Sequence, residues 1–358
     1  MSDFVYSANP GRVIFGSGTI SRLGEEADRL GVKRIVVLST PEQEEQAGAI
    51  AVNLGARTVG LFAGAQMHTP TDVTQNAMDL IASRDADAVV SIGGGSTTGL
   101  GKAIAFRTDL PQIVVPTTYA GSEATPILGE TEAGKKVTKS DPRILPEVII
   151  YDVDLTLTLP VGMSVTSGVN AIAHAAEALY AREANPVISM MAEEGISAIA
   201  RALPLIQANP SDLAARSDAL YGAWLCGVCL GSVGMALHHK LCHTLGGMFG
   251  LPHASMHTII LPYALAYNAH AAPQAMQRIA RAINQERAPL GLFDLTRKLG
   301  GQIALKDIGM PAEGIEQAVD EILAKPYWNP EALARGPLIR LLTAAYSGEL
   351  PADDLFQR

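Results

Sequence analysis

The chain has 358 residues, 48% of them hydrophobic and 18% charged, with a formal net charge of -9. Such a length is more than one hydrophobic core usually holds, so two domains are expected, and the composition is that of a globular rather than a disordered protein. The acidic balance argues against nucleic acid or an anionic membrane as a main partner, and without a run of about 18 apolar residues or a basic N-terminal leader a cytoplasmic location is expected.

In chain order, the first part alternates short β-branched runs with helical segments: "RIVVLS" (34–39), "TVGLF" (58–62), "AVVSIGGGS" (88–96), "QIVVPTT" (112–118) and "EVIIYD" (147–152). Continuous apolar strands spaced by helices predict a parallel sheet covered on both faces, an architecture that binds ligands at the carboxyl ends of its strands. After the first run come Ser39, Thr40 and Pro41, where an NAD-selective protein would often place an acid. Without that acid a 2′-phosphate is not repelled, so both NADH and NADPH are expected.

The stretch "SIGGGSTTGLGKAIA" sets Gly93, Gly94, Gly95 and Ser96 between a strand and a helix. Glycines allow close backbone approach and a helix start offers unpaired N–H groups to phosphate. The run matches neither the GxGxxG fingerprint nor the Walker pattern. The next strand ends in "VPTTYAGSEAT", whose Thr117, Thr118, Tyr119 and Ser122 lie at the same sheet edge, and the two strand ends together suggest a nucleotide cradle. An NAD(P)-binding α/β domain over 1–157 and an all-helical catalytic domain over 158–358 are the expected division.

Past Pro160 helical periodicity takes over, with Ile196, Ile199, Leu203 and Ile206 on one face and Ile315, Val319 and Ile322 on another. Ser211 and Pro273 read as helix starts. Cys226 and Cys229 form a CxxC inside an apolar helical run and are expected to be small core residues; with Cys242 they are too few for a disulfide framework.

Five of the eight histidines, His238, His239, His243, His253 and His257, fall between 238 and 257. His239 and His243 are four apart on a helix, as are Asn170 and His174 in "GVNAIAHAAEALY", so each pair can converge on one ligand. His238 and His257 are expected to be structural or at the rim. His270 is expected at the surface, as is His68, although its place after a strand could turn it toward a cleft.

The order of GGGS with "KAIA", then "VPTTYAGSEAT", "GVNAIAHAAEAL", "HHKLCHTLGG" and "LPHA", resembles the iron-containing (group III) alcohol dehydrogenases from Phe15 to about residue 345. The resemblance implies a Rossmann-like N-terminal domain, a helical C-terminal domain (the dehydroquinate synthase-like fold), and a cleft for NAD(P) and a divalent metal. It places metal-ligand positions at Asn170, His174, His239 and His253, a further active-site histidine at His243, and a cofactor contact at Lys135 and Lys136. Asn170 departs from the aspartate of metal-dependent members, and Gly99 from an aspartate that often follows GGGS.

Within the family the wording is similar to a branch that reduces the C=C bond of a 4-oxo-2-enedioate arising in aromatic-compound breakdown, a branch regarded as needing no metal. The resemblance therefore implies an NADH- or NADPH-dependent reductase without a metal, with His243 and His239 as leading catalytic candidates and Lys240, His174 and His253 assisting. A small dicarboxylate is the expected substrate and a homodimer the expected assembly. A metal-dependent alcohol dehydrogenase and a catalytically inactive nucleotide sensor are the alternatives.

Overall fold

The computed structural model describes residues 4–9 and 11–352. It divides into two compact units, Ala8–Leu159 and the chain from Pro160 onward, with residues 4–7 grouping with the second. Both departures from the expected 157/158 division have local causes. The turn Val153–Thr156 is still capped by Asp152 of the last strand, and Pro160 is the N-cap of the next helix. Residues 4–7 precede the first strand and pair with none.

The first unit holds strands β1 (Arg12–Gly16), β2 (Ile35–Leu38), β3 (Thr58–Phe62), β4 (Ala88–Gly93), β5 (Gln112–Pro116), β6 (Ile127–Glu132), β7 (Lys135–Ser140) and β8 (Val148–Asp152). Its helices are α1 (Leu23–Leu30), α2 (Glu44–Ala51), α3 (Thr71–Ser83) and α4 (Gly95–Thr108). Six strands form one parallel sheet in the order β1-β8-β5-β4-β2-β3, and β6 and β7 form a separate antiparallel hairpin. Alternate side chains point to opposite faces. Ile35 and Val37 accordingly pack with Leu23, Ala27 and Ala47 of α1 and α2, while Val36 and Leu38 pack with Ala77, Leu100 and Ile104 of α3 and α4. Both faces being covered explains why the strands read as unbroken apolar runs.

The sequence reading did not include β1 or the hairpin. β1 is an edge strand with only Ile14 fully buried, and the hairpin carries Glu130, Glu132, Lys135, Lys136 and Lys139, so neither shows a core-strand pattern.

The loop that follows β5 is held from below by Lys102 of α4. Its ammonium is buried and donates to the carbonyls of Ser122, Thr125 (2.8 Å) and Ile127 (3.0 Å) and to Thr125 Oγ1 (2.9 Å). Burial pulls its pKa down to about 7 despite the opposing pull of Glu123. Glu123, also buried, accepts from the Tyr151 hydroxyl at 2.8 Å.

The second unit is helical: α5 (Val161–Ala178), α6 (Pro186–Ala208), α7 (Leu213–Ser232), α8 (Leu237–Phe249), α9 (His253–Asn268), α10 (Pro273–Ala282), α11 (Ala288–Lys298), α12 (Gly314–Ala324) and α13 (Arg335–Ser347). Ile196, Ile199, Leu203 and Ile206 are buried as the periodicity requires. α7 begins after Asp212 rather than Ser211, because the Asp212 carboxylate accepts the Ala215 N–H at 3.0 Å. α6 and α7 meet at glycines: a Cβ on Gly222 would stand 2.8 Å from the Gly195 carbonyl, and one on Gly195 2.9 Å from Cys226 Sγ. Cys226 and Cys229 are core thiols, and burial pushes the Cys229 thiol up to about 12. Among the described residues no single helix is long and apolar enough to cross a membrane.

Replacing Lys102 with Met removes a donor shared by three carbonyls and a hydroxyl, leaving the Ser122 and Ile127 carbonyls only the Thr125 hydroxyl. We expect a loss of about 3 kcal/mol in urea unfolding; a loss below about 1 kcal/mol would show that the loop holds itself.

Candidate active site

α5 is an almost wholly buried helix, and its polar side chains Asn170, His174 and Glu177 stand on successive turns. Glu177 is fully buried and accepts three hydrogen bonds: from Ala236 N (2.8 Å), His238 N (2.7 Å) and His239 Nδ1 (2.7 Å). The first two are orphan donors at the start of α8, which has no capping side chain of its own. Glu177 therefore caps α8 from a neighbouring helix and fixes the His239 ring. A carboxylate accepts only, so Nδ1 carries the ring proton and Nε2 is left facing away from Glu177.

Around His239 the imidazoles lie close together. Ring centroids are 5.3 Å away for His174, 5.1 Å for His238, 5.3 Å for His257 and 6.0 Å for His243. His253, the first residue of α9, lies 4.2 Å from His257, whose Nδ1 is 3.0 Å from His238 Nε2. His243 Nδ1 shares a hydrogen bond with the Tyr327 hydroxyl at 3.0 Å, and the Lys240 ammonium stands 5.6 Å above the Tyr327 ring. Burial, then the neighbouring imidazoles, hold His174, His238 and His257 well below the ordinary histidine range, and burial lowers Lys240. The interior of the array is therefore neutral imidazole at pH 7.

The structure thus brings together His174, His239, His243, Lys240 and His253 in one unit. Of the two places expected for His238 and His257, structural or at the rim, they take the structural one, fully buried beside His239 because α9 packs its first turns against α8. His270 is exposed. Two contributors lie outside the sequence reading. Glu177 is signalled only as a second polar residue three positions after His174 in an apolar helix, and Tyr327 comes from the distant "KPYWNP" stretch with no periodic signal.

In the sheet unit, Gly93 ends β4 with φ 150° and Gly94 is the N-cap of α4. A Cβ on Gly93 would stand 2.6 Å from Thr97 Oγ1 and 2.7 Å from Gln43 Oε1, and one on Gly94 2.8 Å from Thr118 Cγ2. Gly95 is exposed with open space around it, and Ser96 follows on the first turn. Gln43, absent from the sequence reading, donates from Nε2 to Thr117 Oγ1 at 3.0 Å and so ties the end of β5 to the turn after β2. Two candidates are turned inward: Tyr119 is fully buried, and Ser39 is buried with both backbone groups bonded to Phe62 and Ala65. Ser122 is half-buried, and its carbonyl accepts from Lys102. Lys136 is half-buried on the hairpin.

For a divalent cation, the family ligand positions offer one amide oxygen and three imidazoles. Asn170 Oδ1 and His239 Nε2 are buried without a protein partner, so the position is polar, but it contains no anionic donor. Among the described residues, the three metal-capable side chains whose donor atoms converge within 4.8 Å are instead His238, Cys242 and His257. The positions Asn170, His174, His239 and His253 therefore offer a cation an amide oxygen and imidazole nitrogens and no carboxylate.

Two outcomes follow. In Glu177→Gln the constraint on His239 is lifted, so the ¹⁵N shifts of its ring should change from a single Nδ1–H tautomer to a mixture; unchanged shifts would show that another group fixes the ring. Native His174, His238 and His257 are held neutral whereas unfolded histidines titrate near pH 6.5, so the unfolded chain gains protons as pH falls and stability drops below about pH 6.5. Each such histidine contributes up to about 1.4 kcal/mol per pH unit, and His257→Asn should reduce the slope of urea stability between pH 6.5 and 5 by about that amount; an equal slope in the variant would refute the assignment.

Comparison with known proteins supplies the context. Residues 10–153 match the family described as iron-containing alcohol dehydrogenase, and residues 164–346 match the C-terminal part of the Fe-containing alcohol dehydrogenase family. The chain is 57% identical over 353 residues to the maleylacetate reductase of Burkholderia cepacia, covering 98% of this chain and 100% of the relative. It is 53% identical over 351 residues to that of Rhizobium sp. strain MTP-10005, covering 98% and 100%. The crystal structure of maleylacetate reductase from Agrobacterium tumefaciens superposes with a TM-score of 0.94 at 52% identity, covering 98% of this chain and 100% of that one. With a parallel-sheet unit carrying a glycine turn and a helical unit carrying the histidine array, the chain belongs to the iron-containing alcohol dehydrogenase family.

Proposed function

We propose that this protein is a maleylacetate reductase, an NAD(P)H-dependent oxidoreductase that reduces the C=C bond of maleylacetate to give 3-oxoadipate. The observation that carries the reading is Asn170 within a hydrogen-bonded imidazole array, in a chain that matches proteins named for that activity over almost its full length. An alcohol dehydrogenase polarises its substrate oxygen with a cation. Here the charge-bearing position holds an amide, and the surrounding side chains are proton donors and acceptors.

The Gly93–Ser96 turn with Thr117 and Thr118 would hold the dinucleotide. When bound, the nicotinamide supplies a hydride. Hydride arrival at the carbon β to the ketone moves the C=C pair onto the ketone oxygen, and a proton must then reach the α carbon. Stabilising the oxyanion requires preorganised donors. His243 fits the proton transfer. In its imidazolium form, with Nδ1–H donated to the Tyr327 oxygen, the ring can release the Nε2 proton to the α carbon and become neutral imidazole, while Tyr327 keeps its own proton, which burial and Glu177 hold on it. His239, with Nδ1–H given to Glu177, has Nε2 free to hold or accept a proton, and Lys240 adds positive charge suited to a dianion. The reaction then needs no metal, and the absence of an acid at Ser39–Pro41 admits NADPH beside NADH.

The test is NADH oxidation at 340 nm by chelator-stripped enzyme on adding maleylacetate. Full turnover is expected; activity that returns only with Fe²⁺ or Zn²⁺ would overturn the metal-free reading in favour of a metal-dependent alcohol dehydrogenase. In the same assay His243→Ala should lower kcat by about 10²- to 10⁴-fold. The NADH and NADPH values of kcat/KM should differ by less than about a thousandfold, or roughly 4 kcal/mol.

A further inference from the structure

Behind His239, α8 and α9 are joined by a second group of side chains that proton transfer does not use. His238 and Cys242 are four residues apart on α8 and so lie one turn above the other on the same face, while His257 comes from the second turn of α9. All three are fully buried. His238 Nε2 lies 3.0 Å from His257 Nδ1 and 3.8 Å from Cys242 Sγ, and one ligand atom from each residue lies within 4.8 Å of the other two. The core around them is apolar, with Leu241, Leu245, Met256 and Ile260.

These separations match the edges of a metal shell. With bonds of about 2.0–2.1 Å to imidazole and about 2.3 Å to thiolate, two nitrogens on a tetrahedral Zn²⁺ stand about 3.3 Å apart, and a nitrogen and the sulfur about 3.6 Å. The nitrogen–nitrogen edge and one nitrogen–sulfur edge are therefore already in place to within about 0.4 Å. Donor type agrees with the spacing, because thiolate and imidazole select zinc and softer ions over Mg²⁺ or Ca²⁺.

The thiolate also brings the anionic donor that Asn170, His174, His239 and His253 lack. On binding, the thiol proton is released, and each ring keeps its one proton on its outer nitrogen. Those outer nitrogens, His238 Nδ1 and His257 Nε2, are buried and without a partner, so no other bond has to be broken for them to take it. A divalent ion with one thiolate retains one positive charge, and the Glu177 carboxylate, which accepts the His238 N–H at 2.7 Å, stands near enough to offset it. We propose that His238, Cys242 and His257 form a site for a thiophilic divalent cation of the Zn²⁺ class, separate from the family ligand positions and tying α9 to α8. The site does not depend on which substrate the protein reduces.

The experiment titrates the tag-free, chelator-stripped full chain with Zn²⁺ in competition with a chromophoric chelator, and reads the shell of the bound ion by X-ray absorption at the zinc edge. One Zn²⁺ per chain is expected, with one sulfur at about 2.3 Å and two imidazole nitrogens at about 2.0–2.1 Å. Cys242→Ala should remove the sulfur from the shell and weaken binding by more than about 100-fold, beyond the loss typical of an outer-shell partner. His174→Ala, at a family ligand position, should leave shell and affinity unchanged. A wild type that takes up no stoichiometric Zn²⁺, or holds it in a shell of nitrogen and oxygen alone, would overturn the proposal without recourse to any variant. Binding abolished by His174→Ala would move the ion to the family positions and overturn it as well. So would a sulfur that persists in Cys242→Ala, which would point to Cys226 and Cys229.

Discussion

One buried carboxylate organises the helical unit. Glu177 accepts two backbone N–H groups at the start of α8 and the ring N–H of His239, so the direction in which α8 leaves its preceding turn and the tautomer of the central imidazole are set by the same two oxygen atoms. A helix start left with unpaired buried donors would be unfavourable, and a histidine without a fixed tautomer would be chemically ambiguous. Satisfying both with one group makes the position of His239 as stable as the helix packing. His243, one turn further along α8, and His253 at the start of α9 take their places relative to that anchor.

The amide at position 170 has a wider meaning in this setting. Replacing an aspartate by asparagine in a ligand shell normally leaves a poor version of the same site. Here the change sits beside an array in which His238 and His257 bond to each other, His239 to Glu177 and His243 to Tyr327. Hydrogen bonds between helices hold these rings in place. His238, Cys242 and His257, packed behind His239, extend the polar interior one layer deeper than the ligand positions themselves.

Much of this was legible from the sequence because it depends on short-range pattern. Strands β2, β4, β5 and β8 are buried on both faces and so appear as apolar runs, and the i,i+4 pairs Asn170/His174 and His239/His243 lie on single helices. The parts that were not legible are long-range. Glu177 meets α8 about sixty positions later, Tyr327 meets His243 across a gap of 84 residues, and Gln43 reaches Thr117 across 74. Spacing left His238 and His257 between a structural and a rim position for the same reason: it gives the direction of a side chain around its own helix, but what lies there is decided by the packing of α9 on α8. Ser39 and Tyr119 illustrate the converse, since proximity to a strand end does not show whether a side chain points to ligand or to core.

The Lys102 ammonium has a bearing on motion. It has three hydrogens and four oxygen acceptors within reach, three of them along the loop after β5. That loop cannot peel away alone, because opening it would strand an ammonium in the interior and several carbonyls with it. Local opening there is bound to cost nearly as much as unfolding the sheet unit, so amide exchange in the segment Ser122–Ile127 should proceed only through global unfolding, although a surface loop ordinarily exchanges early. The loop after β5 is thus built as part of the core, and larger movement is left to other segments of the unit.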